Sequence, residues 1–185
     1  MTQTHFNVTV ETDVPPQVVW SVITDVEHWP KWTMTVSRVK LLTPGPLQIG
    51  SRVRIHQPKL PAANWRVTEL SLGRSFTWVS VAPGVRVTAQ HSLETTATVC
   101  RVTLSINYEG VFGPWLARWT RTLNERYLAM EANGLKEYCT TLCNTALKED
   151  LGRGNSPAGP GARAEPGKRQ FDGRVTRQHF QAWRR

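Results

Sequence analysis

The feature that most constrains this chain lies between Val14 and Trp32. Upstream of it, Phe6, Val8 and Val10 alternate with Asn7, Thr9 and Glu11, the period of a half-buried strand. Pro15-Pro16 stops that strand and fits the first turn of a helix, where missing amides cost nothing, with Thr12 or Asp13 as its cap. Val18, Val19, Val22 and Ile23 supply the buried face of this short helix. A second tight turn, Asp25-Val26-Glu27-His28-Trp29-Pro30-Lys31-Trp32, cannot continue as helix because Pro30 lacks a donor and disfavours helical geometry at Trp29. A long amphipathic helix comes only much later, after an almost unbroken run of strand-like segments. Two small helices, a sheet and one long helix make a sheet curled around a helix, an arrangement that encloses space.

The strand candidates are 36–43, 51–57, 64–70, 75–82, 85–94 and 98–109, separated by Pro- and Gly-bearing turns such as Pro44-Gly45-Pro46 and Pro83-Gly84. Connections this short require mostly antiparallel neighbours. In the clearest strand, Val85, Val87, Ala89, His91 and Leu93 share one face, opposite Arg86, Thr88, Gln90, Ser92 and Glu94. Gly113-Pro114 ends the last strand, and a helix from about Trp115 to Leu151 follows, with Leu116, Trp119, Leu123, Tyr127, Met130, Gly134, Tyr138 and Leu142 as its apolar stripe. Gly134 costs about 1 kcal/mol relative to alanine, which implies close approach of the sheet or space left for something else.

At 185 residues the chain suffices for one domain with a real core. The net charge of +9 reads as a nucleic-acid signal until it is divided. Residues 1–150 hold 15 Lys/Arg and 12 Asp/Glu, a net of +3, whereas residues 151–185 hold 8 and 2, a net of +6. The folded part is close to neutral, so no stable nucleic-acid complex is expected. The segment 151–185 has a Gly-, Pro- and Arg-rich linker composition, read as a disordered tail. Its end, Phe171 to Arg185, could form a basic amphipathic turn on a partner or make weak contact with an anionic membrane; a solvated tail is the competing reading. No long apolar run and no signal-peptide pattern is present, so a cytoplasmic location is expected. Cys100, Cys139 and Cys143 read as buried or half-buried free thiols, with no further ligands nearby for a metal.

Several stretches together resemble the START-like, or helix-grip, superfamily (SRPBCC), and within it the bacterial polyketide cyclase/dehydrase branch. They are Pro15-Pro16-Gln17-Val18-Val19-Trp20, Asp25 to Trp32, Gly50-Ser51-Arg52-Val53-Arg54-Ile55 with Gln57-Pro58, Trp65 to Leu70, Phe76-Thr77-Trp78, and Tyr127-Leu128-Ala129-Met130-Glu131-Ala132 with Gly134-Leu135-Lys136. The resemblance covers about residues 4–147 and implies an α+β helix-grip fold: a curved seven-stranded antiparallel sheet around a long C-terminal helix, with two short helices after the first strand. It places a ligand-binding domain at 1–150. It also implies an apolar cavity, since members bind lipids, sterols, hormones, quinones or polyketides and some catalyse cyclisation or dehydration. A fold of this kind predicts a pocket and leaves the reaction open.

Such cavities are apolar with a few polar groups that orient the ligand. The inward polar candidates are Gln57, on the parity of Val53 and Ile55, and His91, the best candidate general acid or base. A core histidine bonded to a neighbour is the structural alternative for His91. Trp65, Trp78, Phe76 and Tyr108 from strands, and Trp119, Leu123, Tyr127 and Met130 from the helix, are the aromatic and apolar lining candidates. Trp29 and Trp32 close one end of the core or form a lid. Asp25, Glu27 and His28 suit helix-end capping better than a metal. The leading expectation is a module, monomeric or homodimeric, that binds a hydrophobic small molecule such as a lipid, quinone or polyketide-like aromatic, with no cofactor. A cyclase/dehydratase using His91, with Gln57 or Tyr127 orienting a carbonyl, is the alternative.

Overall fold

Strand β1 (His5–Thr12) and strand β2 (Arg38–Leu41) are neighbours in sequence but occupy opposite edges of one sheet, ordered β1-β7-β6-β5-β4-β3-β2. The chain therefore crosses the whole sheet between them, through helix α1 (Pro16–Thr24) and a 3₁₀ segment (Val26–Lys31). From the far edge it returns as an antiparallel meander of β3 (Arg52–His56), β4 (Ala63–Ser71), β5 (Ser75–Ala82), β6 (Val85–Thr95) and β7 (Cys100–Glu109), which ends paired with β1. Helices α2 (Gly113–Trp119) and α3 (Arg121–Gly154) complete the chain. The computed structural model describes residues 4–96 and 99–154, with side chains to Lys148. Its described residues up to Thr145 form one compact unit. The tail segment Phe171 to Arg185 lies outside the described residues.

The period-two pattern sets the sheet's two faces. Phe76 is opposite His91, His91 opposite Leu104, and Leu104 opposite Val8, so one row of side chains crosses four strands toward the interior. A register shift between Val67 and Glu69 adds local bend to β4. The 3₁₀ segment and α1 pack into this face: Val19, Ile23 and Trp29 are buried with Val53, Val67 and Phe76 in the main core.

Three expectations are corrected here. The cap of α1 is Pro15, and neither Thr12 nor Asp13 caps it; the Thr12 hydroxyl instead accepts the Val14 amide at 3.3 Å. The strand expected over 51–57 ends at His56, which leaves Gln57 in the following turn, where its carbonyl accepts the Leu60 amide. The single helix expected from Trp115 is two helices, broken at Thr120 (φ −95°, ψ 6°). There the Thr120 hydroxyl bonds the Leu116 carbonyl at 2.8 Å and receives the Asn124 amide at 3.0 Å, and Asn124 in turn accepts the buried Tyr108 hydroxyl at 2.9 Å. A side chain that competes for backbone groups bends a helix in this way.

The buried side of α3 is also rotated from the expected stripe by about one residue. Asn124, Glu131, Ala132, Leu135 and Cys139 are buried, while Leu123, Tyr127 and Met130 are half-buried and Leu142 is exposed. Two polar side chains face inward because each has a partner on the sheet, Tyr108 for Asn124 and His91 for Glu131. Gly134 explains itself: a Cβ there would lie 2.3 Å from the Trp32 carbonyl oxygen, so the 3₁₀ end, rather than the sheet, approaches the helix. Among the described residues no helix is long and apolar enough to cross a membrane.

Gly134→Ala should therefore lower stability by about 2 kcal/mol, although alanine ordinarily favours a helix by about 1 kcal/mol. Urea denaturation checks the sign. Burial pushes the Cys139 thiol from 9.0 to about 12 and raises Cys100 as well. These thiols fold in the neutral form, so their contribution to stability is complete below pH 9.0 and is lost as pH rises toward about 12. Alkaline melting curves should show this decline, and a thiol reagent near neutral pH should modify half-buried Cys143 well before Cys100 or Cys139.

Candidate functional site

The centre of the molecule is built from rings. The helix-to-strand crossover supplies Trp20, Trp29 and Trp32, and the inner face of β4 to β6 supplies Trp65, Phe76, Trp78 and His91. Trp29 lies 5.3 Å from both Trp78 and His91 and 5.7 Å from Trp32. Trp78 lies 5.4 Å from Trp65 and 5.3 Å from Phe76, which stacks on His91 at 4.6 Å and 11°. Mostly tilted and edge-on geometries suit ring quadrupoles and contribute beyond area burial. Sequence alternation places the strand rings. Trp29 is fixed instead by its indole N–H, which donates to the Ile23 carbonyl at 3.1 Å.

His91 is the one ionisable group of the sheet within this cluster, and it is 6% exposed. Its Nε2 lies 3.1 Å from Glu131 Oε1, on α3, so an imidazole–carboxylate pair ties sheet to helix. With Nε2–H donating to the carboxylate, Nδ1 is left with a lone pair, and Nδ1 is buried without a protein partner. The indole N–H groups of Trp32, Trp65 and Trp78 are likewise buried and unpartnered. Such groups each carry a cost of about 1–3 kcal/mol, and native structures hold few of them. Three donors and one acceptor therefore converge on one aromatic cluster.

The sequence-derived candidates separate into groups. Trp65, Trp78 and His91 meet in this cluster. Tyr108 is buried nearer the start of α3, edge-on to Phe6 at 6.4 Å, and burial raises its phenol above the ordinary range. Tyr127 donates to the Pro58 carbonyl and clasps α3 to the β3–β4 loop; Leu123 and Met130 lie half-buried on the same helix. Gln57 is half-buried beside that clasp in sequence, off the strand. Trp119 is corrected: it is 71% exposed and stacks on Trp115 outside the core. Glu131 was missed because an acid beside an apolar stripe reads as a surface residue; its only signal was the four-three-four spacing of Asn124, Leu128, Glu131 and Leu135, which puts them on one helix face.

The cavity expected between sheet and helix is filled by these rings in the structure; Phe76, Trp78 and Trp29 are almost wholly buried. Two described hollows lie elsewhere. One, about 570 Å³, runs along exposed α3 residues Asn133, Lys136, Glu137, Thr140 and Thr141. The other, about 330 Å³, is lined by Arg52, Arg66, Val79 and neighbours on β3 to β5.

The His91–Glu131 pair makes a checkable energetic claim. His91→Ala should destabilise by about 3 kcal/mol because it strands a buried carboxylate, and Glu131→Gln by about 1 kcal/mol because a hydrogen bond survives. Replacing both with leucine should restore stability to within about 1 kcal/mol of the parent. Guanidinium titration of the three variants gives the comparison.

Residues 3–140 match the family model described as "Polyketide cyclase / dehydrase and lipid transport". No curated protein sequence matches the chain. Among solved structures, a hypothetical protein of Helicobacter pylori superposes with a TM-score of 0.66 at 17% identity, covering 75% of this chain and 89% of that one. The Zhui aromatase/cyclase of Streptomyces sp. R1128 gives 0.60 at 21% identity, covering 74% and 93%. A START superfamily protein of Mycobacterium smegmatis gives 0.58 at 15% identity, covering 76% and 99%. These likenesses establish the helix-grip fold, and the family match establishes descent: the chain belongs to the polyketide cyclase/dehydrase and lipid transport family.

Proposed function

We propose that the protein binds one hydrophobic, ring-bearing small molecule with carbonyl and hydroxyl oxygens between its sheet and α3. The observation that carries this reading is the set of unpartnered polar atoms, Nδ1 of His91 and the indole N–H groups of Trp32, Trp65 and Trp78, inside an aromatic cluster. A planar polyketide-like or quinone-like ligand supplies acceptors to the indoles and a hydroxyl to the imidazole, and its faces replace ring-on-ring contacts with ring-on-ligand contacts. The family's description as cyclase, dehydrase and lipid transport supports a ligand of this class. Because rings fill the interior, entry requires them to part. Half-buried Trp32 and the Tyr127–Pro58 clasp are the points where this costs least.

A second reading, a cyclase/dehydratase in which His91 moves a proton, draws on a different detail. Glu131 orients the imidazole, while Nδ1 remains available to a substrate hydroxyl or acidic C–H. Enclosure of His91 behind Phe76, Trp29 and Trp78 makes the same opening a precondition of turnover.

Titration with a polyhydroxylated anthraquinone should quench the interior tryptophans with 1:1 stoichiometry. Tyr127→Phe should speed association several-fold, and His91→Leu/Glu131→Leu should weaken binding about tenfold by removing the hydrogen bond to the ligand. Absence of quenching, together with native mass spectra of the purified protein showing the bare chain, would leave a packed core and no ligand site. Turnover that is lost in His91→Ala and shows an imidazole-range inflection with pH would move the protein to the second reading.

A further inference from the structure

The outside of the domain carries two features that the interior site does not use, and they adjoin. Around α2, Val111, Phe112, Trp115 and Trp119 are each more than half exposed, and the two tryptophan rings stack on each other at 6.0 Å and 11°. Phe112 lies over bare backbone at Gly84 (φ +74°), where a Cβ would come within 2.4 Å of the ring. This contact joins the α2 end to the β5–β6 hairpin, whose Val81 is 70% exposed. Such a run of large apolar side chains is more than scattered surface residues require.

Val81 also lines the hollow of about 330 Å³, together with Leu42, Val79, Arg52 and Arg66. That hollow spans β3 to β5 beside Leu42, and next to it Arg38, Lys40, Arg52, Arg54 and Arg66 are all exposed on β2 to β4. Lys40 stands directly opposite Arg54, and Arg52 opposite Arg66, like-charge cross-strand pairs that destabilise a sheet. Among the described residues, none of the ion pairs involves these five. At the other edge of the same sheet, Arg101 pairs with Glu11 at 2.7 Å and Arg86 with Glu109 at 3.8 Å. Protection of an edge strand accounts for Arg38 and Lys40 on β2. It does not account for three arginines on β3 and β4, which have neighbours on both sides.

We propose that this surface docks on an anionic lipid bilayer, with the Trp115–Trp119 end entering the headgroup boundary and the β2–β4 cations meeting the headgroups. Tryptophan's amphipathic ring suits that depth, and each cation near a negatively charged leaflet adds to the attraction. Charge decides against the other occupants. A second copy would bring five unpaired cations toward five more. A nucleic acid would seek open ring faces among the cations for stacking, whereas here the exposed aromatic pair is on α2, Trp65 in the hollow's lining is only 8% exposed, and aliphatic Leu42, Val79 and Val81 share the hollow with the arginines. Trp65 of the ring cluster also lines the hollow, but Trp115, Trp119, Arg52 and Arg66 belong neither to that cluster nor to the His91 pair, so the proposal stands whether or not the interior takes a ligand.

Co-sedimentation of the full chain with vesicles of phosphatidylcholine containing about one-third phosphatidylserine, and with pure phosphatidylcholine vesicles, tests the proposal. The protein should sediment with the anionic vesicles only. Trp115→Ser/Trp119→Ser and Arg52→Gln/Arg66→Gln should each weaken binding about tenfold without lowering the melting temperature, since all four side chains are exposed and the second change removes a like-charge pair. Wild-type affinity in both variants would assign any binding to the basic tail and overturn the proposal. So would indifference of the parent protein to anionic vesicles, a concentration-dependent dimer that needs the tryptophan pair, or Arg52- and Arg66-dependent binding of an RNA oligomer without vesicle binding.

Discussion

The bond between His91 on β6 and Glu131 on α3 is the contact on which the rest of the interior depends. Two ionisable groups held almost entirely out of water are tolerated only as a pair, so the helix is fixed in rotation about its axis as well as in position. A turn of α3 by one residue would present Met130 or Ala132 to the imidazole and strand both polar groups. The second polar contact of the same kind, Tyr108 to Asn124, sets the start of the helix and places the break at Thr120. Between these two pins lies Leu128, which packs against the core with its rotation about the helix axis already set.

Around that pair the aromatic rings give the domain an interior that is dense and yet unsatisfied in its polar atoms. Packing alone would favour phenylalanine or leucine over tryptophan where an indole N–H finds no protein acceptor. Three such indoles in one ring cluster with an unpartnered imidazole nitrogen give the interior a polarity that a plain core does not need. Rings that stack on one another can also stack on a flat guest, which is the physical basis of the proposed site.

Charge is distributed on a different principle from the core. The domain's small net charge conceals a sheet with paired ions on β1, β6 and β7 and unpaired cations on β2, β3 and β4. Opposed like charges persist on a surface only where the loss is small or is offset by a partner.

The strands, the Pro15–Pro16 helix start, the turn at Pro30 and the inward row from Val85 to Leu93 were legible from the sequence because period-two alternation and proline stereochemistry act over a few residues. That same alternation put His91 on the inner face, and Trp65 and Trp78, named only from their strands, are buried in the same ring cluster. Local patterns fail where a partner distant in the chain decides. Glu131 turns inward for His91, forty residues away, and Asn124 for Tyr108, so the helix stripe rotates toward polar residues and Trp119 is left outside. Net charge fails in the same way, since a sum over residues 1–150 carries no information on which cations face one another across strands. What the sequence determined by itself is the list of elements and the face each strand buries; what only the tertiary structure decided is which polar groups meet, because hydrogen bonds and charge pairs are set by proximity in space and not along the chain.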